Sequence, residues 1–298
     1  MSVACSFAED TIALCRSAAE RNRATPARRG NVINLTADCG NEILIAADLH
    51  GQRLNFERLC RVADLANHPG RHLVMQEVCH GGPEYPGGGC MSHLLLEDIA
   101  RLKLQFPDRF HFLLSNHELA ELTDYPISKA RRVLNLSFRA GIQELYGSAA
   151  EDVRRSYQWF IGTCPLAVRL PHGVFISHSL PERVDCAGFA ADILDRPLEA
   201  ADWQPGGPVF KFVWGRDYRA ANAEAFAKLV GAELLIHGHE PCPDGCRMPN
   251  PRQVIIDCCS GKGAYLQLPI GPKLTHADVV AAVRRIFPVG CCSNKKGS

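Results

Sequence analysis

Three features of this sequence predict an α/β fold around a mostly parallel sheet. Short apolar runs rich in Leu, Ile and Val alternate with stretches whose apolar residues recur at helical spacing, the mark of βαβ units. Several of these runs end in a polar, chemistry-bearing residue, as Glu42–Asp48 and Val174–His178 do. The composition is that of an ordinary globular chain, with 298 residues, 46% hydrophobic and 22% charged. A chain of this length buries a substantial core.

The elements follow in order. Residues 7–19 have the pattern of a short amphipathic helix, and Arg21–Gly30, basic and interrupted by Pro26, reads as an exposed linker. Regular alternation then begins. Glu42–Asp48 is an apolar run that suits a buried strand. Phe56, Leu59, Val62 and Ala63 share one face of a helix over Asn55–Ala66, with Asn55 as its N-cap. His72–Gln76 is the next strand, Ser92 caps a helix that Pro107 stops, and Arg109–Ser115 is a third strand. From Ile127 to Phe160 the pattern is helical, with Leu134, Phe138, Ile142 and Leu145 as a stripe that belongs to a core. Strands return at Leu166–Leu170, Val174–His178, Leu234–His237, Val254–Asp257 and Ala264–Leu268, and Thr275 caps a last helix to Phe287. The expected organisation is an N-terminal helix and basic linker over 1–31, one domain over 32–288, and a disordered tail over 289–298.

Charge and cysteine usage narrow the function classes. A formal net charge of +1 gives no field to gather nucleic acid or an anionic membrane surface. No run reaches the ~18–20 apolar residues of a membrane span. The fourteen cysteines are scattered over strands, helices and loops, and Met1–Ala19 lacks the apolar core of a secretory leader. Reduced thiols in a cytoplasmic protein are therefore expected. Cys242 and Cys246, just after His237 and His239, mimic half of a zinc knuckle, but Pro241, Pro243 and Gly245 make a plain turn and no second CxxC exists.

Five short segments carry the chemistry. They are Asp48-Leu49-His50-Gly51, Gln76-Glu77, Ser115-Asn116-His117-Glu118, His178-Ser179 and His237-Gly238-His239-Glu240, each at or just beyond a strand end. In open α/β sheets functional groups gather where strands deliver the chain into loops. Asp48 and His50, two apart, can point to one side of an extended strand end. Carboxylate, imidazole and amide oxygen form a donor set suited to Mn, Fe or Zn and need no thiolate.

These segments, in this order, resemble the phosphoprotein phosphatase branch of the calcineurin-like metallophosphoesterases, from about residue 40 to 270. The family's GDxHG resembles Ala47-Asp48-Leu49-His50-Gly51, its GNHE resembles Ser115-Asn116-His117-Glu118, and its HGG resembles Ile176-Ser177-His178-Ser179. Its later histidine motif resembles His239-Glu240, and the stretch from Ser92 to Glu118 and the helical insert before His178 are also similar. The resemblance implies a metallophosphoesterase domain, a four-layer α/β/β/α sandwich with a two-metal site at the carboxyl ends of its strands. It also implies roles. Asp48 and His50 would hold the first metal, Asn116, His178 and His239 the second, Glu77 would bridge them, and His117 would protonate the leaving oxygen.

The chain departs from the family at its GDxxDRG, which falls on Gln76–Gly82. The bridging aspartate becomes Glu77, the aspartate that orients the acidic histidine becomes His80, and the phosphate-binding arginine becomes Gly81. Arg216, in Trp214-Gly215-Arg216-Asp217, resembles a W-x-R element of bacterial members and is expected to replace the missing charge. Arg219, Lys262 and His80 are further substrate-binding candidates. The expected activity is metal-dependent hydrolysis of a phosphomonoester such as phospho-Ser/Thr in a protein or small molecule. Hydrolysis of a nucleotide or dinucleoside polyphosphate, and a weakened pseudo-phosphatase that only binds, are the alternatives.

Overall fold

The computed structural model describes residues 3–287, with side chains from Phe7 onward. The expected tail over 289–298 lies outside these residues. Two sheets form the centre. In chain order the elements are α1 (Val3–Arg23), β1 (Arg28–Arg29), β2 (Val32–Asn34), β3 (Glu42–Ile45), α2 (Arg53–Ala63), β4 (Arg71–Gln76), α3 (Ser92–Gln105), β5 (Phe110–Leu113) and α4 (Asn116–Thr123). A hairpin β6 (Ser128–Lys129) and β7 (Arg132–Val133) leads into α5 (Leu134–Tyr146) and α6 (Ala150–Ile161). Then come β8 (Ala167–Leu170), β9 (Val174–Ser177), α7 (Val184–Ala187), α8 (Ala200–Trp203), α9 (Pro208–Trp214), α10 (Ala220–Val230) and β10 (Leu234–His237). The chain continues through β11 (Cys246–Asn250), β12 (Gln253–Ile256), β13 (Ala264–Pro269), α11 (His276–Ala281) and β14 (Val283–Arg285).

The five-stranded sheet has the order β14-β13-β3-β4-β5, and the seven-stranded sheet the order β1-β2-β8-β9-β10-β12-β11. Parallel pairing is confined to β3-β4-β5, β9-β10-β12 and β2-β8, so the expected mostly parallel sheet is in fact two mixed sheets. Period-2 alternation explains the layering. Ile43, Ile45, Val74, Ile176, Ile236 and Ile256 point into an apolar layer shared by the two sheets. Their neighbours Leu44, Leu73, Met75, Phe175 and Leu235 point outward into the core beneath the helices. Helix, sheet, sheet and helix thus stack as four layers.

Several local expectations give way to tertiary contacts. Asn55 is not an N-cap; it is buried inside α2, where its amide donates to the carbonyls of Cys258 (2.6 Å) and Ser260 (3.1 Å). Ser92 begins α3 but caps nothing, because its hydroxyl accepts the His80 N–H at 2.9 Å. The helical reading of 127–160 fails at its start, where the β6–β7 hairpin intervenes, although Phe138 and Ile142 are core residues as expected. Thr275 does cap α11, but that helix ends at Ala281 and β14 follows.

The N-terminal helix is longer than its amphipathic pattern suggested. Ala8, Thr11, Cys15, Ala18 and Asn22 are its buried stripe. Arg21–Gly30 is largely exposed, as expected of a linker, but it is tied down: Thr25 is buried and accepts from Lys103 Nζ at 2.9 Å, and Arg28 donates to the Thr163 carbonyl at 2.6 Å. No helix among the described residues is long and apolar enough to cross a membrane.

Candidate active site

The carboxyl ends of β3, β4, β5 and β10 converge on one cavity of about 500 Å³, with His178, after β9, set against its Asn116 and His239. Asp48 and His50 follow β3, Glu77 follows β4, Asn116 opens α4 after β5, His178 follows β9, and His239 lies two residues past β10. All but His50 are nearly or fully buried.

The loops that present these residues are bent sharply. His50, Glu77, His80 and His239 all have positive φ, between 42° and 66°, a region that disfavours side-chain-bearing residues by about 1–3 kcal/mol each. The strain is held by hydrogen bonds between loops. The Glu77 carbonyl accepts the N–H groups of Leu49 (2.8 Å) and His50 (3.0 Å). The Glu118 carboxylate accepts the N–H groups of Val78 (2.9 Å) and Cys79 (2.8 Å), and also the Ser115 hydroxyl. Glu118 therefore locks the Glu77 loop to the start of α4, a role the sequence pattern did not assign. Close approach matters too. A Cβ on Gly238 would stand 2.4 Å from Asp48 Oδ1, the atom that accepts the His239 N–H at 2.9 Å.

Hydrogen bonds set the ring tautomers at the bottom of the cavity. His178 Nδ1 lies 2.9 Å from Gln76 Oε1, an acceptor, so Nδ1 carries the proton. Burial depresses the His178 pKa to about 4, so the ring is neutral and Nε2 is a bare lone pair. That lone pair faces Asn116 Oδ1 at 2.7 Å, His239 Nδ1 at 3.1 Å and Glu77 Oε1 at 3.4 Å. His239 Nε2 faces the Trp214 carbonyl at 3.3 Å, which leaves its Nδ1 bare as well. Glu77 Oε1 is buried without a hydrogen-bond partner. Four electron-rich atoms thus meet with no proton between them, a cluster that burial alone makes unfavourable. A cation resolves it, and the donor set fits one.

Glu77 also reaches the other half of the cavity. Its second oxygen, Oε2, lies 3.4 Å from His50 Nε2, while His50 Nδ1 faces the Cys79 carbonyl at 3.3 Å. Burial, and then the negative charge of Glu77, raise the pKa of Asp48; burial raises that of Glu77. Burial would depress His50, but the carboxylates of Glu77 and Asp48 outweigh it and raise its pKa. Both halves have the side chains to hold a metal: Glu77, His178 and His239 in one, and His50, Glu77 and His117 in the other. His117 was expected as an acid rather than among such a group. Its ring stands edge-on to His50 with centroids 4.8 Å apart, and burial, then the nearby imidazoles of His50 and His80, hold its pKa well below the usual value.

The cavity rim carries cations. Arg216 lines it, half-exposed, with its guanidinium 2.6 Å from Glu240 Oε2 and its backbone N–H 3.1 Å from Glu182 Oε1. Arg219 is not brought to the cavity: Asp217 (2.6 Å) and Asp185 (3.1 Å) hold it outside. Lys262 is likewise absent from the lining, paired with Asp244 at 2.9 Å on an exposed turn. Lys129, on the β6–β7 hairpin, lines the cavity and has no ion pair among the described residues. Sequence reasoning missed it because its segment was read as helix. The turn beside it uses positive φ at Ala130 and Arg131, with no glycine to announce it.

No family model matches this chain. In sequence it is 23% identical over 277 residues to a probable serine/threonine-protein phosphatase of Encephalitozoon cuniculi (strain GB-M1). That match covers 85% of this chain and 55% of the relative, so the chain spans about half the relative's length. In structure it is similar to a serine/threonine phosphatase of Saccharomyces cerevisiae, with TM-score 0.65 and 14% identity over 91% of this chain and 86% of that one. A cold-active protein-tyrosine phosphatase of a psychrophilic Shewanella also aligns, with TM-score 0.55 and 13% identity over 80% of this chain and 77% of the other. The resemblance to Ser/Thr phosphatases that the motifs carry is thus met in sequence and in fold, and the four-layer architecture is that of these phosphatases.

Proposed function

We propose that this protein hydrolyses phosphate monoesters with the aid of two metal ions held at the bottom of the cavity. The convergence of His178 Nε2, Asn116 Oδ1, His239 Nδ1 and Glu77 Oε1 carries the proposal, because a buried set of unprotonated donors needs a cation. Asn116, His178 and His239 would hold one ion and Asp48 and His50 the other, with the two Glu77 oxygens turned to opposite halves. When bound, such ions supply Lewis acidity and a nucleophilic water at neutral pH. The N/O donors favour Mn, Fe or Zn. Arg216 lines the cavity and would bind phosphoryl oxygens, its guanidinium already held by the ion pair with Glu240. His117 lines the cavity with Nδ1 engaged by His80, and its Nε2 would donate a proton to the leaving oxygen.

The substrate class follows from the relatives. Phosphoserine and phosphothreonine in proteins are first, since the similar E. cuniculi and yeast proteins bear that name; the Shewanella neighbour puts phosphotyrosine on the same fold. The test is elemental analysis together with hydrolysis of p-nitrophenyl phosphate, phosphoserine and phosphotyrosine peptides and diadenosine tetraphosphate after loading with Mn²⁺, Fe²⁺ or Zn²⁺. Two metal ions per chain and turnover of a monoester are expected. Full turnover by metal-free protein would refute the proposal. Stoichiometric metal without turnover of any ester would favour a binding module, the reading that His80 and Gly81 support. Selective cleavage of the tetraphosphate would assign a nucleotide hydrolase.

A further inference from the structure

At the position where the resembling family orients its acidic histidine with an aspartate, this chain has His80, and an imidazole alone brings no negative charge. Behind it the structure places one. His80 Nδ1 lies 3.0 Å from His117 Nδ1, and His80 Nε2 lies 2.8 Å from Glu121 Oε1. The His80 side chain is fully buried and that of Glu121 is 2% exposed. Asn135 Nδ2 donates to the same Glu121 oxygen at 2.8 Å, while the second oxygen, Oε2, is buried with no partner. His80 itself is held in a left-handed backbone, φ 65°, by the Ser92 hydroxyl that accepts its N–H at 2.9 Å.

Resting on the functional reading above, we propose that Glu121 is the positioning residue for the general acid: it acts through His80 to fix the tautomer and orientation of His117. The direction of the chain follows from its far end. A carboxylate oxygen accepts, so His80 Nε2 carries a proton and donates it to Glu121. His80, neutral, then has a bare Nδ1, which accepts from His117 Nδ1–H. His117 lines the cavity, and with Nδ1 engaged by His80 its Nε2 is the nitrogen left for chemistry. In the reaction the neutral ring, its Nδ1–H still donated to His80, takes at Nε2 the proton that the attacking water releases and passes it to the departing alkoxide, and the electron pair returns to nitrogen. The Glu121 carboxylate steadies the cationic ring through the polarised His80, as a carboxylate next to the ring would do directly.

Asn135 extends the device to the cavity rim. Its Oδ1 accepts the Ile127 N–H at 2.9 Å, so one side chain ties the relay's carboxylate to the segment that leads into the β6–β7 hairpin. Rigid support of this kind is what a charged group two rings from the chemistry requires.

The experiment compares wild type with Glu121→Gln and Glu121→Ala on two esters that need an acid to different degrees, a phosphoserine peptide and 2,4-dinitrophenyl phosphate. A general acid contributes ~10²–10⁴-fold for a poor leaving group, so both variants should lose about 10- to 100-fold in kcat on the peptide. On the dinitrophenyl ester, whose phenolate needs no proton, the loss should stay below about threefold, with bound zinc unchanged. Equal losses on both esters, or none on the peptide, would overturn the proposal. A second measurement does not depend on turnover. Long-range ¹H–¹⁵N spectra of the zinc-loaded wild type should show His80 protonated at Nε2 and bare at Nδ1. A proton on His80 Nδ1 would overturn the relay even in an active enzyme. The expected tautomer in a protein that hydrolyses neither ester would sink the phosphatase reading and leave the relay standing.

Discussion

The floor and the rim of the cavity are built on different terms. On the floor, Asp48, Glu77, Asn116, His178 and His239 are nearly or fully buried, each fixed by a backbone or side-chain hydrogen bond to another strand end. At the rim, Arg216 and Lys129 stand on short elements, half-exposed or exposed, one paired with Glu240 and the other with no carboxylate among the described residues. Buried groups have few ways to satisfy their lone pairs, so the floor tolerates one arrangement; solvated cations tolerate many. On the proposed reading, the floor would decide whether there is chemistry, and the rim which phosphate ester is taken and how tightly.

The most direct way to break this contrast is on the floor. Asp48→Asn removes a charge that the loaded site needs, and metal assistance is worth several kcal/mol in the transition state, so kcat/KM should fall about 10³-fold or more. Bound metal, measured by elemental analysis, should fall with it. Unchanged metal content and turnover would remove Asp48 from the site.

A smaller but sharper effect is expected from Gly238→Ala, which alters no candidate ligand. The new Cβ would stand 2.4 Å from Asp48 Oδ1 and 2.8 Å from the Ala47 side chain, so the β10 loop or Asp48 must move. Displacing a reacting group by about 1 Å is enough to lower rates about 10²-fold. Turnover and metal affinity should both drop, while a rim variant leaves metal affinity alone. Wild-type metal binding in Gly238→Ala would show that the floor is softer than its packing implies.

The two regions also differ in how far the sequence disclosed them. The floor was legible because each residue sits directly after an apolar run, so that strand periodicity and short motifs placed Asp48, Glu77, Asn116, His178 and His239 in register before any tertiary contact was known. The α/β class was legible for the same reason. The division of the strands into two sheets was not, because the pairing of β13 with β3, or of β2 with β8, joins segments more than a hundred residues apart. Partners of that kind leave no local signal. Asn55 and Ser92 show the same limit at single residues: both have good capping chemistry, and both turn it to distant backbone groups. At the rim, Arg219 and Lys262 were further candidates beside Arg216, and their pairing with Asp217, Asp185 and Asp244 outside the cavity left no local signal in the sequence.

Arg216→Ala is the next effect in size, and it belongs to the rim. A hydrogen bond to a charged group is worth about 1.5–3 kcal/mol, so kcat/KM should fall about 10- to 100-fold with metal content intact. The control is Arg219→Ala, whose guanidinium is held outside the cavity and whose removal should leave kinetics within about twofold. Equal losses in the two variants would mean that Arg216 acts through folding rather than through substrate.

The smallest effect tests whether the hairpin takes part at all. Lys129 lines the cavity from β6, and among the described residues no carboxylate neutralises it. The loop that carries Gly81 in place of a phosphate-binding arginine lines the same cavity, so a second cation on the facing hairpin would restore part of the lost charge. Because the ammonium is solvated, its attraction for a phosphate several ångströms away is of the order of 1 kcal/mol, which makes Lys129→Ala about a three- to fivefold effect on KM with kcat unchanged. Such an attraction is screened over about 10 Å at 0.1 M salt, so the difference between wild type and Lys129→Ala should shrink as salt is raised toward 0.5 M. Arg216, held by its ion pair with Glu240, should lose less of its contribution over the same range. A salt-independent loss in Lys129→Ala would mean that the hairpin's shape matters and its charge does not; no loss at all would leave Arg216 as the cavity's working cation.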